Sequence, residues 1–585
     1  MGRLGTRLIL GFVTLSFFSI AHARPDETMA VRISGHVPNR MIQNSSDLGH
    51  LSGNPSIGLV VPMRLKNGAD LETLIQHLHT PDDALYGKYL STSEFKTRFA
   101  PSDAEVAAVE KYFAAQGLSV KGHHANNLFI NLEGHSQNIE NALGIHFHQF
   151  RTSDNRLVYA PVDEPLVEAT VASAINGVVG LNNFSHWHHH LRKLDTLKPF
   201  SVAGSGKTGY LVAADIRKVY NVNMTQTGAG QTVALIEFDS YLPSDLQAYA
   251  SINGITLPTI KNVAVDGGAS GNEGEAILDL DMVLALAPAA TIMTYTGPDL
   301  NNATAQQWID TFSKVAADNI AKIVSASEGG PEVDDTSMMS AENNIFQQMA
   351  SQGQSMFVST GDSGAYSDGS YAGAKNLGVN DPASQPYVTA VGGTTLTSDS
   401  GENYVSETAW GNPNDQNGAD GGGGGISAYW TIPSWQRLIS FTGNSASTTK
   451  RNIPDVALNS DANTGYEIAY TDKYAVFAGT SAASPLWAAF MALVNQQRAA
   501  KALSPIGFVN PALYLIGASL LYTSCFHDVT AGNNLFYNAV PGFDLATGWG
   551  SANFGNLFNV LTTSGLPPAP PTSLTVKILG SAVNP

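Results

Sequence analysis

Serine, carboxylate and glycine recur in this sequence at places where they could act together on an electrophilic carbonyl. The segment Phe477-Ala-Gly-Thr-Ser481-Ala-Ala-Ser-Pro485 runs into an apolar stretch of helical character over 486–494. A Gly-Thr-Ser turn entering a helix puts the Ser481 hydroxyl and its own N–H at the positive end of the helix dipole, which suits a nucleophile facing a developing oxyanion. Ser and Thr are also the ordinary capping residues, so taken alone the segment reads first as a plain helix start with Thr480 or Ser481 as the cap. A serine nucleophile needs a base, and His527 is the sole histidine beyond His190. It sits in a polar turn, and no G-x-S-x-G elbow surrounds Ser481, so a Ser-His-Asp triad is poorly supported and carboxylates remain.

Two carboxylate motifs qualify. In Gly274-Glu275-Ala-Ile-Leu-Asp279-Leu-Asp281, Glu275 and Asp279 are four apart, on one face of a helix, and no Lys or Arg occurs between Lys261 and Lys314 to relieve them. Crowded carboxylates share protons, which raises one pKa and lets the pair work as acid and base at low pH; a solvated acidic first turn is the competing reading. In Met356-Phe-Val-Ser-Thr-Gly361-Asp362-Ser-Gly364 an apolar strand delivers Asp362 to its C-terminal end, where it could meet Ser481. A carboxyl donates a hydrogen bond to an oxyanion only while protonated, which again demands acid; an Asx-type turn is the plainer use. Gly421–Gly425 lacks the Lys-Ser/Thr of a phosphate cradle and reads as a flexible loop or as backbone approached by an extended ligand. Asp528, Val529 and Asp544 combine carboxylates with turn carbonyls, hard oxygens that suit calcium, although the spacing is not an EF-hand and ordinary turns also account for it.

The elements that must position these residues follow from hydrophobic period. Residues 231–238, 290–295, 323–327 and 355–359 read as strands and 275–287, 306–317 and 341–352 as helices, an alternation that predicts βαβ units and a parallel sheet. Residues 55–185 read as a small α+β domain, with strands at 57–63 and 127–132 and helices at 69–79, 101–116 and 136–143. Between them 186–207 is polar, basic and histidine-rich, with the composition of a linker open to proteases.

The charge of −18 is uneven: residues 1–200 hold 17 Lys and Arg against 18 Asp and Glu, whereas 201–585 hold 14 against 31. That disfavours a nucleic-acid binder, and 43% hydrophobic residues exclude a wholly disordered chain. Of 15 histidines, 14 lie at or before His190, so a pro-domain that loosens from an acidic enzyme as its imidazoles charge is one reading; two ordinary domains on a flexible linker is the other. Arg3 and Arg7, the apolar stretch 8–20 and Ala21-His22-Ala23 read as a signal peptide, predicting a secreted, extracellular protein without a stable membrane anchor. Cys525 is the only cysteine, so no intramolecular disulfide forms.

Taken together and in order, these motifs resemble the sedolisin (kumamolisin-like) serine-carboxyl peptidases, which carry a pro-kumamolisin activation domain. The resemblance spans about residues 55–560: the Gly-Thr-Ser-x-x-x-Pro signature at 479–485, Glu-x-x-x-Asp at Glu275/Asp279, Gly-Asp-Ser-Gly at 361–364, and SASEGGPE at 325–332, DPASQPYVTAVGGTTL at 381–396, GGGGGISAYWTIPSWQ at 421–436 and NIPDVALNSDANTGY at 452–466. It implies an α/β, subtilisin-like parallel sheet flanked by helices behind a ferredoxin-like α+β pro-domain. It implies Ser481 as nucleophile, Glu275 as general base and acid, Asp279 as its support, Asp362 as oxyanion donor, and one structural Ca2+ held by Asp528, Val529, Val540, Gly542 and Asp544, with Val540 standing where the family usually has glycine. The expected division is a signal peptide at 1–23, pro-domain at 24–190, cleavable linker at 191–208, catalytic domain at 209–563 and a Pro-rich tail at 564–585. The expected molecule is a monomeric, self-processing, acid-active endopeptidase acting on proteins and peptides, with its own pro-domain as intramolecular inhibitor and chaperone. A tripeptidyl-peptidase of the same family, a neutral protease using His527, and a catalytically silent binding protein on the same scaffold are the competing readings.

Overall fold

The computed structural model describes residues 30–194, 204–332, 336–367, 376–415, 418–439 and 443–563. The expected signal peptide and Pro-rich tail lie outside them. The catalytic half is built on one sheet whose strands are β1 (Thr232–Glu237), β2 (Ile260–Ala264), β3 (Thr291–Thr296), β4 (Ile323–Ala326), β5 (Ser355–Ser359), β6 (Thr389–Ser398), β7 (Tyr404–Ala409) and β8 (Val456–Asn459). The order is β2-β3-β1-β4-β5-β6; these pairs are parallel, β8 also runs parallel to β6, and β7 is antiparallel to it. β4 and β5 are buried at every residue, as a sheet covered on both faces requires. Five helices matter below: α1 (Gly68–His79), α2 (Glu275–Leu286), α3 (Ala305–Asp318), α4 (Thr336–Ser351) and α5 (Thr480–Ala500). α2 is buried along its whole length and α5 nearly so, which is why neither shows a polar stripe in sequence.

The N-terminal domain is α+β. Ser56–Pro62, Phe129–His135 and Ser119–His123 form one three-stranded antiparallel sheet, and Ser46–His50, Phe147–Arg151 and Leu157–Pro161 a second. Its own core gathers Leu59, Val61, Val106, Phe113, Ile130 and Leu132 among others. Capping boxes at Ser91/Glu94 and Ser102/Glu105 start two of its helices, the first of which, Thr92–Phe99, the hydrophobic period did not reveal. The domain docks on the catalytic half through buried polar contacts. His79 Nε2 accepts the Phe508 N–H at 3.0 Å, Asn126 Nδ2 donates to Gln348 Oε1 at 2.9 Å, and Asn131 Nδ2 donates to Asp310 at 2.9 and 3.1 Å. Beside His79 the two halves leave a cavity of about 560 Å³ walled by Tyr387, Trp430, Trp435 and Phe508.

The expectation of an open, protease-accessible linker fails over the first part of that segment. His188–His189 pairs antiparallel with Glu328–Gly329, and Arg192–Lys193 pairs antiparallel with Ala478 and Phe477. His189 and Arg192 contact carboxylates of the catalytic half, while His186 and Lys193 stay exposed. Residues 195–203 lie outside the described residues.

Candidate active site

The sequence-predicted carboxylates and Ser481 meet at the C-terminal ends of the parallel strands, where sites in such sheets collect. Ser481 is the second residue of α5, behind Gly479 with φ +99°. No side chain caps this helix, so Thr480 and Ser481 are not its N-cap. A methyl group on Gly479 would lie 2.1 Å from the His190 carbonyl oxygen and 2.5 Å from Asp362 Oδ2, so only glycine lets both oxygens come so near.

Glu275 opens α2 behind Gly274, whose φ is +107°. The Asp239 carboxylate accepts the N–H groups of Glu273, Gly274 and Glu275 at 2.9 to 3.1 Å, an anion on a helix N-terminus that fixes where Glu275 begins. Asp279, one turn on, takes the Ser327 hydroxyl at 2.8 and 3.0 Å. Asp281 departs from this face: its oxygens find no hydrogen-bond partner, and the charge facing it is that of Asp245. Burial first, then the neighbouring Asp279 and Glu328, push the Glu275 carboxyl well above the usual range, with the Ser481 hydroxyl opposing. Asp279 moves the same way through burial and Glu328. The Ser481 hydroxyl donates to the Ser327 carbonyl at a long 3.3 Å.

Asp362 follows Gly361, φ +101°, at the end of β5. Its Oδ1 accepts both the N–H and the hydroxyl of Thr480 at 2.9 Å, while Oδ2 has no hydrogen-bond partner among the described residues and lies 3.5 Å from Arg192 Nε. Burial raises its pKa to about 6 against the pull of Arg192 and Thr480. The five-glycine run supports this turn. Gly421 and Gly423 N–H groups donate to the Asp362 and Gly361 carbonyls at 3.1 and 2.7 Å, and a methyl on Gly423 would lie 2.0 Å from the Thr360 carbonyl. Neither a flexible loop nor a ligand cradle, it is backbone laid on the protein's own backbone.

Sequence reasoning missed Glu237, Asp239, Ser327, Glu328 and Ser359. Glu237 is buried at the end of β1 and pushed well above the usual range by burial and by Asp279, Glu328, Glu275 and Asp239. A carboxylate closing an apolar strand was the available signal. His527 is not brought in: its ring stacks on Tyr404 at 3.8 Å and bonds Ser551 at 3.2 Å, and burial lowers its pKa to about 4.

The segment 186–194 occupies the cleft itself. The His190 carbonyl accepts the Ser481 N–H at 3.1 Å, and the His190 N–H donates to the Ser327 carbonyl at 3.1 Å. The His190 ring, 3% exposed, meets Ser359 Oγ at 2.7 Å. His189 lies 3.4 Å from Glu328 and 3.8 Å from both Glu273 and Glu275. Upstream, Trp187 stacks on Trp308 at 4.5 Å; downstream, Arg192 Nη2 donates to the Asp362 carbonyl at 2.7 Å and the Leu194 N–H to Val476 at 3.0 Å.

The residues expected to hold calcium gather around one turn. Gly542, φ +82°, donates its N–H to Asp528 at 3.1 and 3.2 Å, and Val540 donates to Asp544 Oδ2 at 2.9 Å. Asp544 is buried, and that burial pushes its pKa up to about 6. Val540 has no positive φ, so its side chain is no obstacle to a carbonyl ligand. Among the described residues no three His, Cys, Asp or Glu cluster to hold a metal, so a cation here would draw on backbone carbonyls with the two carboxylates, a hard-oxygen set that fits Ca2+.

Known proteins align with both halves. Residues 43–184 match the pro-kumamolisin activation domain and residues 263–550 the subtilase family. Kumamolisin of Bacillus sp. (strain MN-32) is 31% identical over 546 residues, covering 89% of this chain and 94% of its own length. Sedolisin of Pseudomonas sp. (strain 101) is 29% identical over 559 residues, 92% of each chain. Tripeptidyl-peptidase 1 of Rattus norvegicus is 26% identical over 88% of this chain and 93% of its own. The solved structure of Pseudomonas sedolisin, described as a serine-carboxyl proteinase complexed with two molecules of pseudo-iodotyrostatin, superposes with a TM-score of 0.55 at 30% identity, over 62% of this chain and 98% of its own.

Proposed function

The chain belongs to the sedolisin family of serine-carboxyl peptidases, with a pro-kumamolisin activation domain ahead of a subtilase-like peptidase domain, and from that membership we propose a secreted, acid-active endopeptidase made as a self-processing zymogen. The observation that carries the reading is a peptide carbonyl, that of His190, held on the Ser481 N–H next to Asp362, with the ring of the preceding His189 3.8 Å from Glu275.

In this reading Ser481 Oγ attacks the carbonyl carbon while Glu275 takes its proton. Asp279, held by Ser327, keeps the proton that the two carboxyls share, which leaves Glu275 ionised when Ser481 attacks. The oxyanion forms against the Ser481 N–H and Oδ2 of Asp362, the oxygen that Thr480 leaves unbonded, which donates only while protonated. Glu275 then returns its proton to the leaving amine, and water releases the acyl group by the reverse sequence. A bound Ca2+ would supply charge to the 540–544 turn through Asp528, Asp544 and the carbonyls of Val529, Val540 and Gly542, and nothing to the chemistry. Endopeptidase action is favoured over tripeptidyl release because the chain runs on from His190 in both directions, through Trp187 on one side and Leu194 on the other. The test compares wild-type and Ser481→Ala precursor, from about pH 3 to pH 8, for self-processing and cleavage of denatured protein. Loss of both in the variant is expected; equal processing with outside proteases excluded refutes the assignment.

A further inference from the structure

Residues 188–194 are held as a substrate would be. Backbone pairing secures the chain on both sides of one peptide bond: with Glu328–Gly329 before it, and with Phe477–Ala478, the strand leading into Ser481, after it. Within that stretch one carbonyl, that of His190, sits on the Ser481 N–H, and the N–H of the same residue is bound by Ser327. Resting on the function proposed above, we infer that the bond the enzyme cuts in its own chain is His190–Leu191, and that the site reads a cation on the residue before it through Glu328.

The two preceding side chains say what the site selects. The His190 imidazole is sealed against Ser359, with Gly329 and Gly361 forming walls: a methyl on Gly329 would lie 2.9 Å from the ring. This pocket takes a small planar polar ring. The His189 ring lies among Glu328, Glu275 and Glu273; burial alone would lower its pKa, but Glu328 first, then Asp239 and Glu273, outweigh it and raise the value. Glu275 is already engaged in proton transfer and Glu273 is half exposed at 54%, so Glu328, fully buried and the nearest at 3.4 Å, is the specificity residue. Imidazolium, ammonium or guanidinium would satisfy it; an aliphatic side chain would leave a buried carboxylate with only the Phe238 and Ser327 N–H groups, at 3.3 and 3.2 Å, and no counter-charge.

The step balances without any further reactant than water. Ser481 Oγ bonds the His190 carbonyl carbon and its proton passes to Glu275. The carbon–nitrogen bond to Leu191 breaks as Glu275 protonates that nitrogen, and water then cleaves the ester, leaving a His190 carboxyl and a Leu191 amine.

The experiment acidifies full-length precursor to about pH 4 over a range of dilutions and identifies the earliest new N-terminus by sequencing and intact mass. Leu191 is expected, at a rate independent of concentration; any other first terminus overturns the inference while leaving Ser481-dependent proteolysis intact. Processing of Ser481→Ala at the wild-type rate, or no processing of either form, overturns the functional reading as well. The second arm gives matured enzyme matched peptides with Lys or Leu before a His. Wild type should favour Lys by about tenfold in kcat/KM, a ratio that Glu328→Gln brings close to one. An unchanged ratio in the variant, or no preference in wild type, removes Glu328 from recognition.

Discussion

In the proposed mechanism Asp362 is the residue on which the pH response turns. Its pKa of about 6 means that the donor proton is present below that value and lost above it, so peptide hydrolysis should fall as pH rises through about 6. Asp362→Asn keeps an N–H donor at every pH. Its kcat should be lower than wild type in acid, but the alkaline fall should move up by at least a unit, as pH–rate profiles on a fluorogenic peptide would register; a fall unchanged in position would point to another group. Glu275→Gln should cost about 10²- to 10⁴-fold in kcat at all pH values, since an amide neither takes nor returns the proton. Both carboxylates were legible from residue type and spacing. Glu328 and Ser359 were not, because nothing in a linear sequence says which side chains a distant strand places against the ends of β4 and β5.

At the level of elements, the starts of α1, α2 and α3 were legible to within one residue, while α4 begins five residues ahead of its predicted start and the Thr92–Phe99 helix was not foreseen. Gly274 and Gly479 each precede a catalytic candidate with positive φ, and the cap of α2 is Asp239, contributed from beyond the end of β1. The docking of α1 carries a pH latch. His79 is buried, donates Nδ1–H to the Ile75 carbonyl at 2.9 Å and accepts from Phe508, a tautomer with no room for a second proton. Its pKa is lowered to about 4 by burial, so the docked state binds fewer protons than the free one. The contribution is complete above the ordinary value near 6.5 and is lost as pH falls toward about 4. Hydrogen exchange at the Phe508 amide in the Ser481→Ala precursor, corrected for intrinsic rate, should accelerate over that interval, and His79→Gln should flatten the response. The 540–544 turn gives a separate prediction: a chelator should lower the unfolding midpoint of the Ser481→Ala precursor, calcium at a hundredfold its Kd should restore about 2.7 kcal/mol, and Asp544→Ala should abolish the difference.

For the whole molecule, the docking contact at His79 and the carboxyl cluster of the catalytic half should respond to acid with opposite sign. Glu237, Glu275, Asp279 and Asp362 all hold protons more tightly when folded, so the catalytic half is most stable in acid and loses stability as pH rises above the ordinary carboxyl range; Asp362 alone accounts for about 3 kcal/mol. The thermal midpoint of the Ser481→Ala precursor, followed by a probe in the catalytic half, should therefore drop by several degrees between about pH 4 and pH 7. A flat or rising profile would contradict the buried, protonated cluster. This asymmetry was foreshadowed by the charge count, with few basic residues beyond residue 200 and nearly all histidines before it. Sequence alone also determined the βα alternation, the positions of four of the eight strands of the main sheet to within a few residues, and the residue types able to attack and protonate a carbonyl, because period, propensity and side-chain chemistry are local properties. What only the tertiary structure decided is contact at long range: that residues 186–194 lie in the cleft, that five glycines support Asp362, and that Asp281 turns away while Asp279 turns in. Those outcomes depend on which surfaces are buried against one another, and burial is a property of the folded chain.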